Sequence, residues 1–125
     1  MGKILIAEDN DLNARILTDI LCIEGYDCVV ANSDSKAIEL FSSSEIGEFG
    51  LVLLDIQMQR LDGWSAVKRI RNLNRADSSS VLVYALAEPY YKDDAEYAHA
   101  NGIDVFLSDP INVEEILFNL RRDIK

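Results

Sequence analysis

The chain has 125 residues, 49% of them hydrophobic, and a formal net charge of −10. That length suits one domain over residues 1–125, and the composition is globular rather than disordered. So acidic a surface repels phosphate backbones, which argues against nucleic-acid binding, and no apolar run reaches the ~20 residues of a membrane span. The opening "MGKILIAEDN" holds too short an apolar stretch for a secretion signal, so the expected location is cytoplasmic.

In chain order, "KILIA" (3–7) reads as a first strand, ending at Glu8 and Asp9. Leu12, Ile16, Ile20 and Ile23 recur at helical spacing and predict the inward stripe of a first helix. "DCVVA" (27–31) reads as a second strand, Asp34 as a first-turn acid of the next helix, and Ala37, Ile38 and Phe41 as its stripe. "SSSEIGEFG" (42–50) reads as a surface connection into a third strand, "LVLLD" (51–55), which ends at Asp55. Trp64, Val67 and Ile70 predict a third helix, capped by Asp62 with Gly63 in its first turn. "NRADSSS" (74–80) connects to a fourth strand, "VLVYA" (81–85). Pro89 suits the first position of a fourth helix carrying Ala95 and Ala98, with Gly102 after its end. "DVFLS" (104–108) reads as a fifth strand. Val113, Ile116, Leu117 and Leu120 predict a last helix, entered through Asn112 and Glu115 in capping-box spacing.

Several of these strands are apolar throughout, the pattern of a parallel sheet covered by helices on both faces. The expected class is α/β, a (βα)5 doubly wound five-stranded parallel sheet in a three-layer sandwich. Cys22 and Cys28 lack metal-site spacing and read as buried free thiols, and His99 as a surface helix position.

In open α/β sheets, sites form beyond the carboxyl ends of the strands. Glu8, Asp9 and Asp55 stand there and converge if strands one and three are neighbours. Like charges so close are costly unless a cation lies between them or one acid is protonated. Oxygen-only ligands favour a hard cation such as Mg2+. The alternative is that these acids merely cap helices and solvate loop ends. No Gly-rich phosphate loop, base–nucleophile pair or cofactor motif is present, so an enzyme acting on a diffusible substrate is not expected.

"ILIAEDNDLNARIL" followed by "LLDIQMQRLDGW", with "GYDCVVAN" and "NGIDVFLSDPI", resembles the receiver domain of bacterial two-component response regulators over almost the whole chain. The resemblance implies a flavodoxin-like, CheY-like fold and a phosphoryl group donated by a histidine kinase or phosphotransfer protein. It implies Asp55 as phosphoacceptor, with Mg2+ held by Glu8, Asp9, Asp55 and the backbone carbonyl of Gln57. It also implies a protein partner on the face formed by the fourth helix, fifth strand and fifth helix, where Tyr90, Tyr91 and Tyr97 lie on the fourth helix, and Phe106 as the switch aromatic.

Two positions depart from the family pattern. Ala87 stands where the family has Ser or Thr, and Asp109 where it has Lys before a proline. Losing a hydroxyl donor to a phosphoryl oxygen costs about 1.5–3 kcal/mol. Replacing Lys with Asp turns an attraction into a repulsion of roughly 4 kcal/mol at ~4 Å and an effective dielectric near ~20. Phosphorylation is therefore expected to be impaired. A phosphorylation-independent pseudo-receiver, acting as a protein–protein interaction module, is the alternative.

Overall fold

The computed structural model describes residues 2–55, 65–87, 99–100, 102–108 and 112–124, apart from the side chains of Ala87 and Ser108. Its strands are β1 (Lys3–Ala7), β2 (Cys28–Ala31), β3 (Phe49–Asp55), β4 (Leu82–Ala87) and β5 (Val105–Ser108). Its helices are α1 (Asp11–Ile23), α2 (Asp34–Ser43), α3 (Ser65–Arg71) and α4 (Val113–Asp123), the last being the fifth helical pattern of the sequence. All strand pairs are parallel, in the order β2-β1-β3-β4-β5. The reversal of order at β1 and β3 makes the sheet doubly wound.

Strand alternation splits the core into two layers. Leu5, Val52, Leu54, Val83 and Ala85 meet Ala37, Phe41, Val67 and Ile70 of α2 and α3. Ile4, Ile6, Leu51, Leu53, Tyr84 and Leu107 meet Leu17 and Leu21 of α1 and Ile116 and Leu120 of α4. Each central strand is thus buried on both sides, which explains its continuous apolar run.

Three local expectations are revised. The buried face of α1 is Ala14, Leu17 and Leu21. Leu12, Ile16 and Ile23 of the expected stripe point to solvent, Ile23 being 85% exposed. β3 begins at Phe49, inside the expected connection, where β1 and β3 shift register between Lys3 and Ile4. The cysteines are free, but Cys22 is exposed and Cys28 half-buried, because Cys22 sits on the flank of α1 rather than under it.

The helix ends follow the sequence closely. Asn112 accepts from the Glu115 amide at 3.1 Å, as the capping spacing predicted. Asn10 and Ser33 do the same for Asn13 and Lys36 at the starts of α1 and α2. Gly102 has φ +96 and closes onto the His99 carbonyl, a left-handed turn that glycine tolerates. Asp62, Gly63, Trp64, Pro89, Ala95 and Ala98 lie outside the described residues.

Polar side chains tie the loops at the amino ends of the strands. Arg75 and Asp77 form an ion pair at 2.6 Å with both side chains at least nine-tenths buried. Arg75 also donates to the Phe41 carbonyl at the end of α2 and lies 4.6 Å from the Phe41 ring centroid. Asp77 accepts the Gly47 amide at 2.9 Å. Arg71 binds the carbonyls of Ser78, Val81 and Gly102 and the Asp104 carboxylate.

Candidate functional site

The register of the sheet builds the acidic site. Ile6 pairs with Leu53 and Ala7 with Leu54, so the next step along each strand sets Glu8 beside Asp55. Both project beyond the carboxyl ends of adjacent parallel strands, at the topological switch point. Asp9 follows at the start of the turn into α1. One carboxylate oxygen from each of Glu8, Asp9 and Asp55 lies within 4.8 Å of the others.

Burial differs sharply across the three. Glu8 is 2% exposed and Asp55 8%, whereas Asp9 is open to solvent. Glu8 Oε1 accepts long contacts from the Asn10 amide and Asn13 Nδ2, both at 3.4 Å. Glu8 Oε2 is fully buried and has no hydrogen-bond partner. Burial, and then the neighbouring Asp55 carboxylate, push the Glu8 carboxyl up to about 8. Of the two ways to relieve crowded acids, protonation therefore falls on Glu8 when no cation is bound. An orphaned buried oxygen within reach of two further carboxylates also suits a hard divalent cation, which brings its own waters to complete its shell.

β4 also places one of the two residues that depart from the family pattern. Ala87 ends β4 in register with Ser108 of β5, and Ala85 is in register with Phe106. Phe106 is half-buried and packs against the layer shared with α2 and α3. Gln57, Asp109 and the three tyrosines Tyr90, Tyr91 and Tyr97 lie outside the described residues.

The second helical stripe of α1 is the feature that sequence reasoning misplaced. Leu12 is 67% exposed, with Ile16 and Ile23 also outward, on the helix that leaves the acidic turn. Exposed aliphatics in a row are a common mark of an interaction surface.

The fold and site together define an α/β protein with a doubly wound parallel sheet and three carboxylates converging at its switch point. Residues 4–121 match the family model described as response regulator receiver domain, and the chain belongs to that family. Hybrid signal transduction histidine kinase B of Dictyostelium discoideum is 32% identical over 94% of this chain, which corresponds to 6% of that protein. The sensor histidine kinase RcsC of Escherichia coli is 32% identical over 90% of this chain and 11% of its own length. The chain thus spans about a tenth or less of these curated relatives. Among solved structures, a receiver domain protein from Clostridium thermocellum superposes with a TM-score of 0.83 at 20% identity, covering 98% of this chain and 93% of the other. The receiver domain of a Pseudomonas aeruginosa sensor histidine kinase, described with a magnesium ion in its active-site cleft, superposes at 0.80 with 25% identity over 98% of this chain and 97% of its own.

Among the described residues, no helix is long and apolar enough to cross a membrane.

Proposed function

We propose that this receiver domain accepts a phosphoryl group on Asp55 from the histidine of a kinase or phosphotransfer protein, with Mg2+ as cofactor. The observation that carries the reading is the convergence of one carboxylate oxygen each from Glu8, Asp9 and Asp55 within 4.8 Å, beside a Glu8 Oε2 that is buried and unpartnered. When bound, Mg2+ supplies charge neutralisation for a transferring phosphoryl group. Glu8, Asp9 and Asp55 would hold the cation, with the Gln57 carbonyl completing the set by family analogy. Asp55, poised at the end of β3, supplies the attacking oxygen.

The apolar stripe of α1, which starts at Leu12 next to the acidic turn and runs to Ile23 at the far end of the helix, gives the donor a surface. Leu12, Ile16 and Ile23 suit an apolar face on a helical donor protein, and their exposure is otherwise unexplained by packing. A second protein surface, by family analogy, comprises the fourth helix, β5 and α4.

Ala87 and Asp109 lower the expected yield. The first lacks a hydroxyl for the phosphoryl, and the second brings a negative charge where the family has a positive one. Asp55 phosphorylation is therefore slower and shorter-lived than in a receiver with both usual residues. The same two residues favour the second reading, a pseudo-receiver that binds its partner without phosphorylation. A ligand lacking differential contacts with two conformations cannot shift their balance, and Ala87 removes such a contact.

Incubation with a small phosphodonor and Mg2+, followed by intact mass, tests the first reading. A phosphoryl mass increase that Asp55→Asn abolishes supports it. No increase at any donor concentration, together with partner binding that ignores Asp55→Asn, supports the pseudo-receiver.

A further inference from the structure

The outward face of α4 is amphipathic in an unusual order. Glu114, Phe118 and Arg122 follow one another at four-residue intervals and so share one side of the helix. Phe118 is 65% exposed, the largest exposed aromatic among the described residues. It borders a shallow groove of about 650 Å3 lined by Glu114, Leu117, Phe118, Arg121 and Arg122. Arg121 lines one side of the groove and pairs with Glu24 at the end of α1 at 3.1 Å. Arg122 gives Nε and Nη2 to Asp123, leaving Nη1, and its guanidinium carbon lies 6.0 Å from the Phe118 ring centroid. Glu114 is exposed and makes no ion pair among the described residues.

We propose that this face binds a second copy of the same chain, as an antiparallel two-fold pair of α4 helices centred on Phe118. The charge order specifies both occupant and orientation. A two-fold axis at Phe118 sets Glu114 of each copy against Arg122 of the other, giving two ion pairs that flank two facing phenylalanines. A parallel pairing sets Glu114 on Glu114 and Arg122 on Arg122, which repel. A sequence that is acid, aromatic, base at equal spacing is complementary to its own reverse. An unrelated acidic or basic partner would match only one end of it. Each Arg122 keeps its contact with Phe118 and adds a carboxylate through Nη1. One helix face buries little area, so the pair is weak and concentration-dependent in isolation. It becomes consequential where a longer protein or a shared scaffold raises the local concentration.

Sedimentation velocity of the chain, from about 10 µM to about 1 mM, measures the association at about 0.15 M salt, where distant charges are screened. Wild type is expected to shift from monomer to dimer across that range. Glu114→Arg and Arg122→Glu are each expected to weaken self-association tenfold or more. An equimolar mixture of the two variants is expected to dimerise again, because each now carries the charge the other lacks. Phe118→Ser, at an exposed position, abolishes the dimer with the circular dichroism spectrum unchanged. A wild type that stays monomeric throughout overturns the proposal. So do single variants that associate like wild type, or a mixture that fails to associate. None of these readouts depends on phosphorylation of Asp55.

Discussion

Glu8 and Asp55 stand one register step beyond the Ala7–Leu54 pair, side by side on adjacent parallel strands and both nearly excluded from solvent. The pair makes stability depend on pH in an uncommon direction. Unfolded, Glu8 titrates near its ordinary 4.5, whereas in the fold it is raised to about 8. Between those values the folded chain holds a proton that the unfolded chain has released. Metal-free stability therefore falls as pH rises through that window, by at most about 1.4 kcal/mol per pH unit. Below 4.5 the two states are matched, and above about 8 the full loss is present. Urea melts in chelator at a series of pH values are expected to show this fall, and Glu8→Gln to flatten it. A wild-type curve as flat as that of the variant would contradict the assignment.

Divalent cations should act on the same pair with the opposite sign. A cation that binds only the folded state stabilises it by mass action. Added Mg2+ is expected to raise the melting temperature at pH 8, with little effect on Asp9→Asn or Asp55→Asn. Equal stabilisation of wild type and Asp9→Asn argues against the three-acid site.

Restoring the two family residues tests the chemistry from the other side. Ala87→Thr with Asp109→Lys is expected to lengthen the lifetime of the Asp55 phosphoryl group tenfold or more, given a gained charge-assisted hydrogen bond and a reversed charge. The decay of phosphorylated protein followed by intact mass reads this directly. An unchanged lifetime shows that neither position limits the reaction.

The two apolar stripes of α1 separate binding from folding. Leu17→Ala empties a fully buried position and is expected to cost about 2–5 kcal/mol in denaturant melts. Ile16→Ser, on the outer stripe, should stay within about 0.5 kcal/mol yet reduce phosphotransfer from a protein donor, while leaving transfer from a small phosphodonor unchanged. Loss of both transfers places the fault in the site instead.

Arg75 and Asp77 make a stability test far from the acids. Arg75→Met leaves the Asp77 carboxylate buried without its cation and removes the donor to the Phe41 carbonyl, so a loss of about 3–5 kcal/mol is expected. Arg75 holds the Asp77 carboxyl below the usual range, so its contribution is present at neutral pH and disappears on acidification through the folded-state value. Asp77→Asn with Arg75→Met should cost much less than the sum of the single changes.

The sheet and the acids were legible because their causes are local. Apolar runs buried on both faces reveal central parallel strands, and acids at two strand ends converge once those strands are neighbours. The inward side of α1 was harder to read because the helix carries two aliphatic stripes, and both Leu12–Ile16–Ile20–Ile23 and Ala14–Leu17–Leu21 fit its period. The decisive signal was the small residue: Ala14 faces the sheet, while the larger Leu12 faces water. The start of β3 was hidden by Gly47 and Gly50, which read as loop punctuation although pairing to β1 begins at Phe49. The Arg75–Asp77 pair had no periodic signature. Its partners come from the loops after α2 and α3, which only the tertiary fold brings together.

Arg71 has a mechanical consequence. Its guanidinium grips the carbonyls of Val81 and Gly102, just ahead of β4 and β5, and Asp104, which itself accepts the Val83 amide. The amino ends of these two strands are therefore clamped to α3 as one block. A displacement that begins at their far ends, near Ala87 and Ser108, meets a fixed fulcrum. Sliding one strand past the other would break these contacts as well as the β4–β5 ladder.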